Sequence, residues 1–410
     1  MATRPVEELG AFVTQPLRGR NIVLGVTGSS AIYKSIDLAR RLIRMGATVR
    51  VVMTRFASKL VSPDLFHWAT GSKPYIEMTG ETEHIDLAKW ADALVVAPAT
   101  LNTMSKMAFG VLDELLTLTA AAIMGEGKRV VVVPAMNIRL YKSPQYARAE
   151  RALREMGVVI LPPKLEEDKA KYPPIEDIAH CVDAIVNRGR DLEGLRVLVT
   201  AGATRERIDP VRVVTNPSSG LMGVLVAREA ACRGAEVTLI HGHLAVEPPY
   251  MVETVPVETT EEMASAVREV TGRQQYDVAV FAAAPADYRP SRPSYSKLST
   301  RETPRLTVEL EATPKVAKSL SRRPRYLAIF VAETVGGDQL VEKTRDKMID
   351  YDADLAVGNN VLSEQAGFAK PLLDAVVLSR EGVVARGLLT KHEVARLILD
   401  RAVESLRRAG

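Results

Sequence analysis

Residues 20–46 read RNIVLGVTGSSAIYKSIDLARRLIRMG, and a change of hydrophobic period inside this stretch decides the fold. The opening RNIVLGV is a continuous apolar run after its first two polar residues, the pattern of a strand buried on both faces. From Ser29 onward the apolar residues recur three and four apart, which predicts an amphipathic helix ended by Gly46. The same alternation continues downstream. TVRVVMT, ALVVAPA and RVVVVPA are β-branched runs separated by helical stretches, and VVIL closes the series. Apolar strands separated by helices imply a parallel sheet covered on both faces.

A helix predicted at 175–187 is followed by NRGRDLEGL, a short polar, glycine-bearing joint. The domain boundary is placed there, giving domains 1–190 and 191–410. The pattern then restarts with LRVLVTAG as a strand, LMGVLVAREAACRG as a helix, and AEVTLIHG and YDVAVFAAAP as strands. Further strands are predicted at RLTVEL, RYLAIFVA, ADLAVGN and AVVLS, with KHEVARLILDRAVESLRRA as a closing helix. The expected fold class is α/β, with two doubly wound, mostly parallel-sheet, Rossmann-like domains.

Composition narrows the function. The 410 residues are 47% hydrophobic and 25% charged, with a net charge of +4, which does not supply the concentrated basic face of a nucleic-acid binder. No apolar run reaches the ~20 residues of a membrane span, and the first residues lack a signal-peptide core. The only cysteines are Cys181 and Cys232, too few for a disulfide framework or a thiolate metal cluster. The expectation is a soluble, cytoplasmic protein that acts on small molecules.

In the first half, GVTGSS at 25–30 sits where a strand hands over to a helix. Small residues there let backbone N–H groups and a helix terminus approach a phosphate; a simple tight turn is the plain alternative. APATLNT at 97–103 and PAMN at 134–137 are similar strand-end loops, on the edge where open α/β sheets bind ligands. His84 stands in TEHIDLAKW at the start of a predicted helix, as either a structural or a catalytic imidazole. Asn137 is either a turn residue or an amide that binds a carboxylate.

GVTGSSAIYKS, HIDL, APATLNT and PAMNIRLY together resemble the flavin-dependent cysteine decarboxylase family over about residues 20–185. The family's last motif reads PxMNxxMW or a close variant, and this chain ends it with Leu140 and Tyr141. The resemblance implies FMN bound by Gly28, Ser29 and Ser30, by Thr54, and by Ala99, Thr100 and Asn102. It also implies His84 as catalytic base and Asn137 as holder of the substrate carboxylate. The chemistry it implies is oxidation of a cysteinyl side chain to a thioaldehyde, an electron sink that eases loss of CO2, followed by protonation and reduction.

Residues 162–176, PPKLEEDKAKYPPIE, break the apolar pattern with charge and proline, which predicts an exposed connection or a lid. Similar decarboxylases carry a flap here whose cysteine protonates the enethiolate; this stretch has none. Lys169 or Lys171 then either supplies the proton or holds the substrate phosphate.

In the second half, TAGATRERIDPVRVVTNPSSGLMG at 200–223 concentrates small and hydroxyl residues where a strand meets a helix, with Arg205, Arg207 and Arg212 close by. Many N–H donors beside cations suit a polyphosphate, and a helix cap from Ser218 or Ser219 is the plain alternative. Asp287 in AAAPADY is a candidate for a ribose or magnesium, with turn formation as the alternative. Lys343 and Lys347 share one helix face.

These stretches are similar to the phosphopantothenate–cysteine ligase family over roughly 191–405. The resemblance implies Asn216 and Arg212 in forming and holding an acyl-nucleotide, and Phe281, Ala282 and Ala283 with Asp287 at the nucleotide. It further implies Lys297, Lys343 and Lys347 at phosphates, Lys297 also positioning the intermediate, and Phe330 near the base. The family's Asn-Pro-Asp-Ile/Val loop stands here as Thr313, Pro314, Lys315 and Val316, which leaves CTP against ATP open.

Both resemblances in this order are those of the bifunctional coenzyme A biosynthesis family. They imply 4′-phosphopantothenate, cysteine and CTP as substrates, with FMN and Mg2+, metal ligands unassigned. A homo-oligomer is also implied, with a trimer-forming flavin domain and a dimer-forming ligase domain. Two alternatives stay open: an active ligase whose flavin domain has weak or altered decarboxylase activity, and a non-enzymatic flavoprotein regulator.

Overall fold

Strand β1 (Asn21–Val26) is buried from its second residue to its last, as a run with apolar side chains on both faces requires. It pairs in parallel with β2 (Thr48–Met53) on one side and β3 (Ala93–Ala99) on the other. Then come β4 (Arg129–Pro134), a two-residue strand β5 (Met136–Asn137), and β6 (Val159–Ile160). The parallel sheet has the order β2-β1-β3-β4-β6, so the chain reverses its winding at β1 and β3. In doubly wound sheets ligands settle outside the carboxyl ends of the strands at such a reversal.

The computed structural model describes residues 15–166, 168–301, 305–363, 366, 370 and 372–409, and the chain divides between Gly189 and Arg190 into two compact units. Among the described residues no helix is long and apolar enough to cross a membrane.

Two stretches differ from the expectation in the first unit. The helix after β1 begins later than the periodicity predicts. Residues Ser30–Tyr33 form a tight 3-10 turn because Ser29 caps it, and the α-helix proper is Lys34–Arg44. The charged stretch at 162–176 is not a bare connection. It folds into β7 (Lys164–Glu166) and β8 (Lys169–Lys171), an antiparallel hairpin whose second strand pairs with β5. The helix Ile175–Arg188 then closes the unit.

The second unit is built on an eight-stranded sheet. Its early strands are β9 (Arg196–Ala201), the short pair β10 (Arg205–Arg207) and β11 (Val213–Thr215), β12 (Glu236–His241), β13 (Glu253–Pro256) and β14 (Val278–Phe281). A second short pair, β15 (Tyr288–Pro290) and β16 (Leu310–Ala312), precedes β17 (Tyr326–Glu333), β18 (Leu355–Asn360), β19 (Leu372–Ser379) and β20 (Gly382–Thr390). The sheet order is β13-β12-β9-β14-β17-β18-β19-β20, parallel as far as β18 and antiparallel through β19 and β20.

The expected strand at 305–310 is a correction. Only Leu310–Ala312 is extended and paired, and Leu306 is exposed, so the apolar alternation of RLTVEL faces no core. Val197, Val199, Val280, Val357 and Val377, by contrast, are fully buried, and each such side chain contributes ~1.5–3 kcal/mol. Rigidity therefore sits in the strands, and the loops at their carboxyl ends inherit fixed positions.

Candidate active sites

At the carboxyl edge of the first sheet the strand-end loops are stitched together by hydroxyl groups. Thr27 Oγ1 donates to the Pro98 carbonyl at 2.7 Å and accepts from the Thr100 amide at 3.1 Å. Ser29 Oγ donates to the Ala135 carbonyl at 3.3 Å. Thr100 caps the helix Leu101–Phe109 and Thr54 caps Arg55–Leu60, each accepting an N–H from the first turn. Gly28, Ser29, Ser30, Thr54, Ala99, Thr100 and Asn102, the flavin candidates, thus lie at or just beyond the carboxyl ends of β1, β2 and β3, at one edge. Ser29 and Ala99 are buried, while Ser30 and Asn102 are exposed. A Cβ on Gly28 would lie 2.2 Å from the ring of exposed Phe56, so a side chain there would have to displace that ring.

His84 lies in the first turn of the helix Glu83–Trp90, which leads into β3. Asn21 Nδ2 donates to the Trp90 carbonyl at 3.0 Å, which ties the helix's far end to the amino edge of the sheet. The helix therefore points its first turn toward the carboxyl edge. His84 Nδ1 is buried without a hydrogen-bond partner, a costly arrangement for a polar atom unless a ligand completes it.

Asn137 ends β5 and caps the next short helix, accepting from the Arg139 amide at 2.9 Å. In the hairpin register Asn137 stands opposite Lys169, Glu166 opposite Lys169, and Lys164 opposite Lys171. Opposed and next-but-one residues share a face, so three lysines and one glutamate stand on the face that carries Asn137. Ala170, on the other face, is buried. Lys171 and Lys164 both pair with Glu166 and hold its carboxyl below the usual range. Cys181 is buried in the helix Ile175–Arg188, and neither it nor Cys232 is a free thiol.

The second unit holds a cavity of about 320 Å3 at the carboxyl ends of β9, β14, β17 and β18. Asn216, Phe281, Ala282, Ala283 and Asp287 line it. So do Thr313, Pro314, Lys315, Val316, Phe330 and Lys347. A buried hydroxyl network adjoins it through Thr313. Thr204 Oγ1 accepts from the Ala286 amide at 2.8 Å, and Thr313 Oγ1 donates to the Ala286 carbonyl at 2.6 Å. Thr260 donates to Glu206 from both its amide and its hydroxyl, each at 2.8 Å. Asn216 Nδ2 donates to the carbonyls of Ala284 at 3.2 Å and Pro285 at 2.9 Å, locking its loop against the one after β14. The helix Leu221–Cys232 presses on β9 so closely that a Cβ on Gly223 would meet the Thr200 carbonyl at 2.7 Å. Its start is bounded by Gly220, with Ser218 and Ser219 accepting the amides of Gly220 and Leu221 at 3.3 and 3.4 Å.

Three candidates fall outside the lining. Arg212 bonds to Asp209 at 2.5 Å and to the Leu298 carbonyl at 3.2 Å, and Asp209 also accepts the Leu298 amide at 3.2 Å. Burial pushes the Asp209 carboxyl up, but three backbone amides and the guanidinium outweigh it and hold it at about 2. Lys297, next to Leu298, is exposed on the strap that this cluster anchors. Lys343 pairs with Glu333 at 2.9 Å, so it meets a lining carboxylate while Lys347, one turn on, reaches the cavity itself. Asp287 pairs with Lys315 at 2.6 Å, and among the described residues no group of three or more His, Cys, Asp or Glu is placed to hold a metal ion.

Sequence reading passes over Asn359 and Lys391, which also line the cavity. Lys391 carries a usable signal. It opens a 19-residue helix, where a cation opposes the helix dipole, so another cause must keep it there.

Two doubly wound units, one with polar loops gathered at the carboxyl edge of its sheet and one with a cavity of about 320 Å3 at the corresponding edge, define a two-site α/β protein. Residues 12–187 match the flavoprotein family, and residues 192–406 match the family described as DNA/pantothenate metabolism flavoprotein C-terminal domain. The coenzyme A biosynthesis bifunctional protein CoaBC of Thermococcus kodakarensis is 37% identical over 408 residues, covering 98% of this chain and 99% of that one. The protein of the same name from Escherichia coli is 33% identical over 407 residues, covering 94% and 97%. A crystal structure of the C-terminal domain of a CoaBC protein aligns at 36% identity, covering 53% of this chain and 99% of that chain, with a TM-score of 0.44. The chain belongs to the family of coenzyme A biosynthesis bifunctional proteins.

Proposed function

We propose that the second unit joins 4′-phosphopantothenate to cysteine through an acyl-cytidylate made from CTP with Mg2+, and that the first unit decarboxylates the product to 4′-phosphopantetheine with FMN. The observation that carries this reading is the single cavity gathering Asn216 with the nucleotide candidates on the loops after β9, β14 and β17.

In the ligase half, Lys347 and Lys315 bring cations to the cavity, which suits a triphosphate. Asn216 sits where the activated carboxyl group forms, its amide N–H groups spent on the Ala284 and Pro285 carbonyls and its carbonyl oxygen set by them. Lys297 approaches from the strap held by Asp209 and Arg212.

In the decarboxylase half, the residues fit a flavin mononucleotide. Gly28 carries no side chain beside the Phe56 ring, the loop hydroxyl groups suit a phosphate, and the Nδ1 of His84 lacks a partner. Gly28, Ser29, Ser30, Thr54, Ala99, Thr100 and Asn102 would hold it. Bound FMN supplies the two-electron chemistry that makes the cysteinyl carbon chain an electron sink. His84 accepts the first proton, and Asn137 orients the substrate carboxylate. The hairpin pairs its second strand with β5 and presents Lys169 from directly opposite Asn137. Exposed Phe109, Val111 and Leu112 support self-association of this unit, read as a trimer, with the ligase unit read as a dimer.

A second reading is favoured by one observation: the hairpin has no cysteine and neither cysteine of the chain is a free thiol. It keeps the ligase and gives the first unit an altered decarboxylase. Mass spectrometry of products from phosphopantothenate, cysteine, CTP and magnesium, with flavin content measured, separates the two. 4′-Phosphopantetheine is expected; an accumulating phosphopantothenoylcysteine selects the second reading, and no condensation product overturns both.

A further inference from the structure

Glu206 is 4% exposed and lies on β10, which pairs with the strand β11 just before Asn216. Its Oε1 accepts both the amide and the hydroxyl of Thr260, each at 2.8 Å. Thr260 is fully buried, and its Oγ1 also stands 2.8 Å from Thr204 Oγ1 and 3.2 Å from the Ala286 carbonyl. A hydroxyl has one proton to give. Thr260 gives its proton to the carboxylate, the closer and charged acceptor, so Thr204 must give its own to Thr260. The Thr204 oxygen in turn takes the Ala286 amide at 2.8 Å. That amide and the Pro285 carbonyl are the two ends of one planar peptide group, and the carbonyl takes Asn216 Nδ2 at 2.9 Å. A single directed chain of hydrogen bonds thus runs from Asn216 through the Pro285–Ala286 peptide, Thr204 and Thr260 to Glu206.

Asn216 and Pro285 line the ligase cavity, whereas Glu206, Thr260 and Thr204 lie outside its lining. The three therefore act on the site through the backbone they hold. The Thr204 carbonyl adds a second tie to the same place, taking Thr215 Oγ1 at 2.7 Å beside Asn216. Capping the helix Thr260–Arg273 would need only the bond from the Thr260 amide to Glu206. The hydroxyl chain that continues to Ala286 is left without a role by that reading. We infer that Glu206 is a positioning residue of the ligase reaction, acting through Thr260 and Thr204 to set the Pro285–Ala286 peptide and, through its carbonyl, the Asn216 side chain. This rests on the ligase reading above and extends it to residues outside the cavity. A carboxylate suits the far end of the chain because it accepts and cannot donate, so every hydroxyl proton points the same way.

The test uses the full chain and reads single-turnover pyrophosphate release with phosphopantothenate and CTP but no cysteine. Thr204→Val keeps the side-chain volume and removes the link, and the rate is expected to fall about tenfold or more. Thr204→Ser, which keeps the hydroxyl, recovers most of that loss. Glu206→Gln keeps an acceptor oxygen and should stay within about threefold of the parent, whereas Glu206→Leu should fall as far as Thr204→Val. In an Asn216→Leu background, where the Pro285 carbonyl has no side chain to hold, Thr204→Val should cost less than about threefold. Hydrogen exchange at the Ala286 amide, read without substrates, should quicken in Thr204→Val. Parent rates in Thr204→Val overturn the inference, as do losses that multiply in the double variant, and neither result needs Glu206→Leu to fold. Unchanged exchange at Ala286 also overturns it, whatever the fate of the ligase reading. Failure of the parent to release pyrophosphate with phosphopantothenate is a different result, because it overturns the ligase reading itself.

Discussion

Replacing Asn216 by Asp tests the ligase site most directly, because the change is isosteric and its consequences can be worked from two hydrogen bonds. The side-chain nitrogen donates to the carbonyls of Ala284 and Pro285 at 3.2 and 2.9 Å. An aspartate oxygen in that place cannot donate, so two bonds of ~1 kcal/mol each are lost and oxygen faces oxygen. With the penalty for unsatisfied acceptors the loss is ~2–4 kcal/mol, or a rate reduction of ~30- to ~1000-fold where the loop geometry is needed for the transition state. The new negative charge adds repulsion toward the phosphates that the reaction brings in. Asn216→Leu removes the same bonds without the charge and serves as the control. Single-turnover release of pyrophosphate without cysteine, with the acyl-nucleotide trapped and weighed, reads the step. Asp is expected to fall at least ~100-fold and Leu less far. Formation of the acyl-nucleotide by the Asp variant at the parent rate would refute the placement of Asn216 at the reacting carboxyl group.

Substituting His84 by Asn should leave flavin content unchanged and slow CO2 release by ~100-fold or more, as loss of a catalytic base does; flavin lost together with activity would make His84 structural. Lys169→Met should release CO2 while the unreduced enethiol accumulates, whereas Lys171→Met should finish the reaction; normal turnover by Lys169→Met removes it as the acid, and product mass reads both. The strap at Leu298 should follow the charge of Asp209. Its folded carboxyl, at about 2, lies below the ordinary ~3.9 of an unfolded aspartate, so the anchoring is complete above pH ~4 and is lost as pH falls toward 2. Hydrogen exchange at residues 294–301 should show that loss, and Asp209→Asn should show it already at neutral pH; protection unchanged by the substitution would mean the strap is held by other contacts.

The long elements were legible because apolar runs have few ways to be buried. RNIVLGV, ALVVAPA and RVVVVPA had to be interior strands, and their polar sequels had to gather at one edge. Short polar pairings were not legible. Strand β5 has two residues and its partner lies in a charged stretch more than thirty positions later, so neither shows a period of its own. RLTVEL failed the other way, since alternation at Leu306, Val308 and Leu310 looks like a strand whether or not a core exists to receive it. Within the ligase cavity, residues on strand-end loops announced themselves by their polar, small composition. Asn359 and Lys391 did not, because one ends an apolar strand and the other begins an amphipathic helix, and only the approach of β18 and β20 to a common strand makes them neighbours.

The hairpin shows how backbone pairing narrows a choice that composition leaves open. Because opposed residues of paired strands share a face, an acid delivered by the hairpin to a group held at Asn137 must come from the side bearing Lys164, Glu166, Lys169 and Lys171. Glu166 is held ionised by its two lysine neighbours, so it has no proton to give near neutrality. Lys164 and Lys171 are the lysines that hold it. Lys169 stands directly across from Asn137, on the strand that pairs with it. A lysine ammonium carries three N–H donors and no acceptor, so it can deliver a proton or hold an anion. The sequence offers two lysines as equals, and the register distinguishes them: Lys169 stands across from Asn137 and Lys171 pairs with Glu166, so of the two it is Lys169 whose replacement should separate proton delivery from a hold on the substrate phosphate.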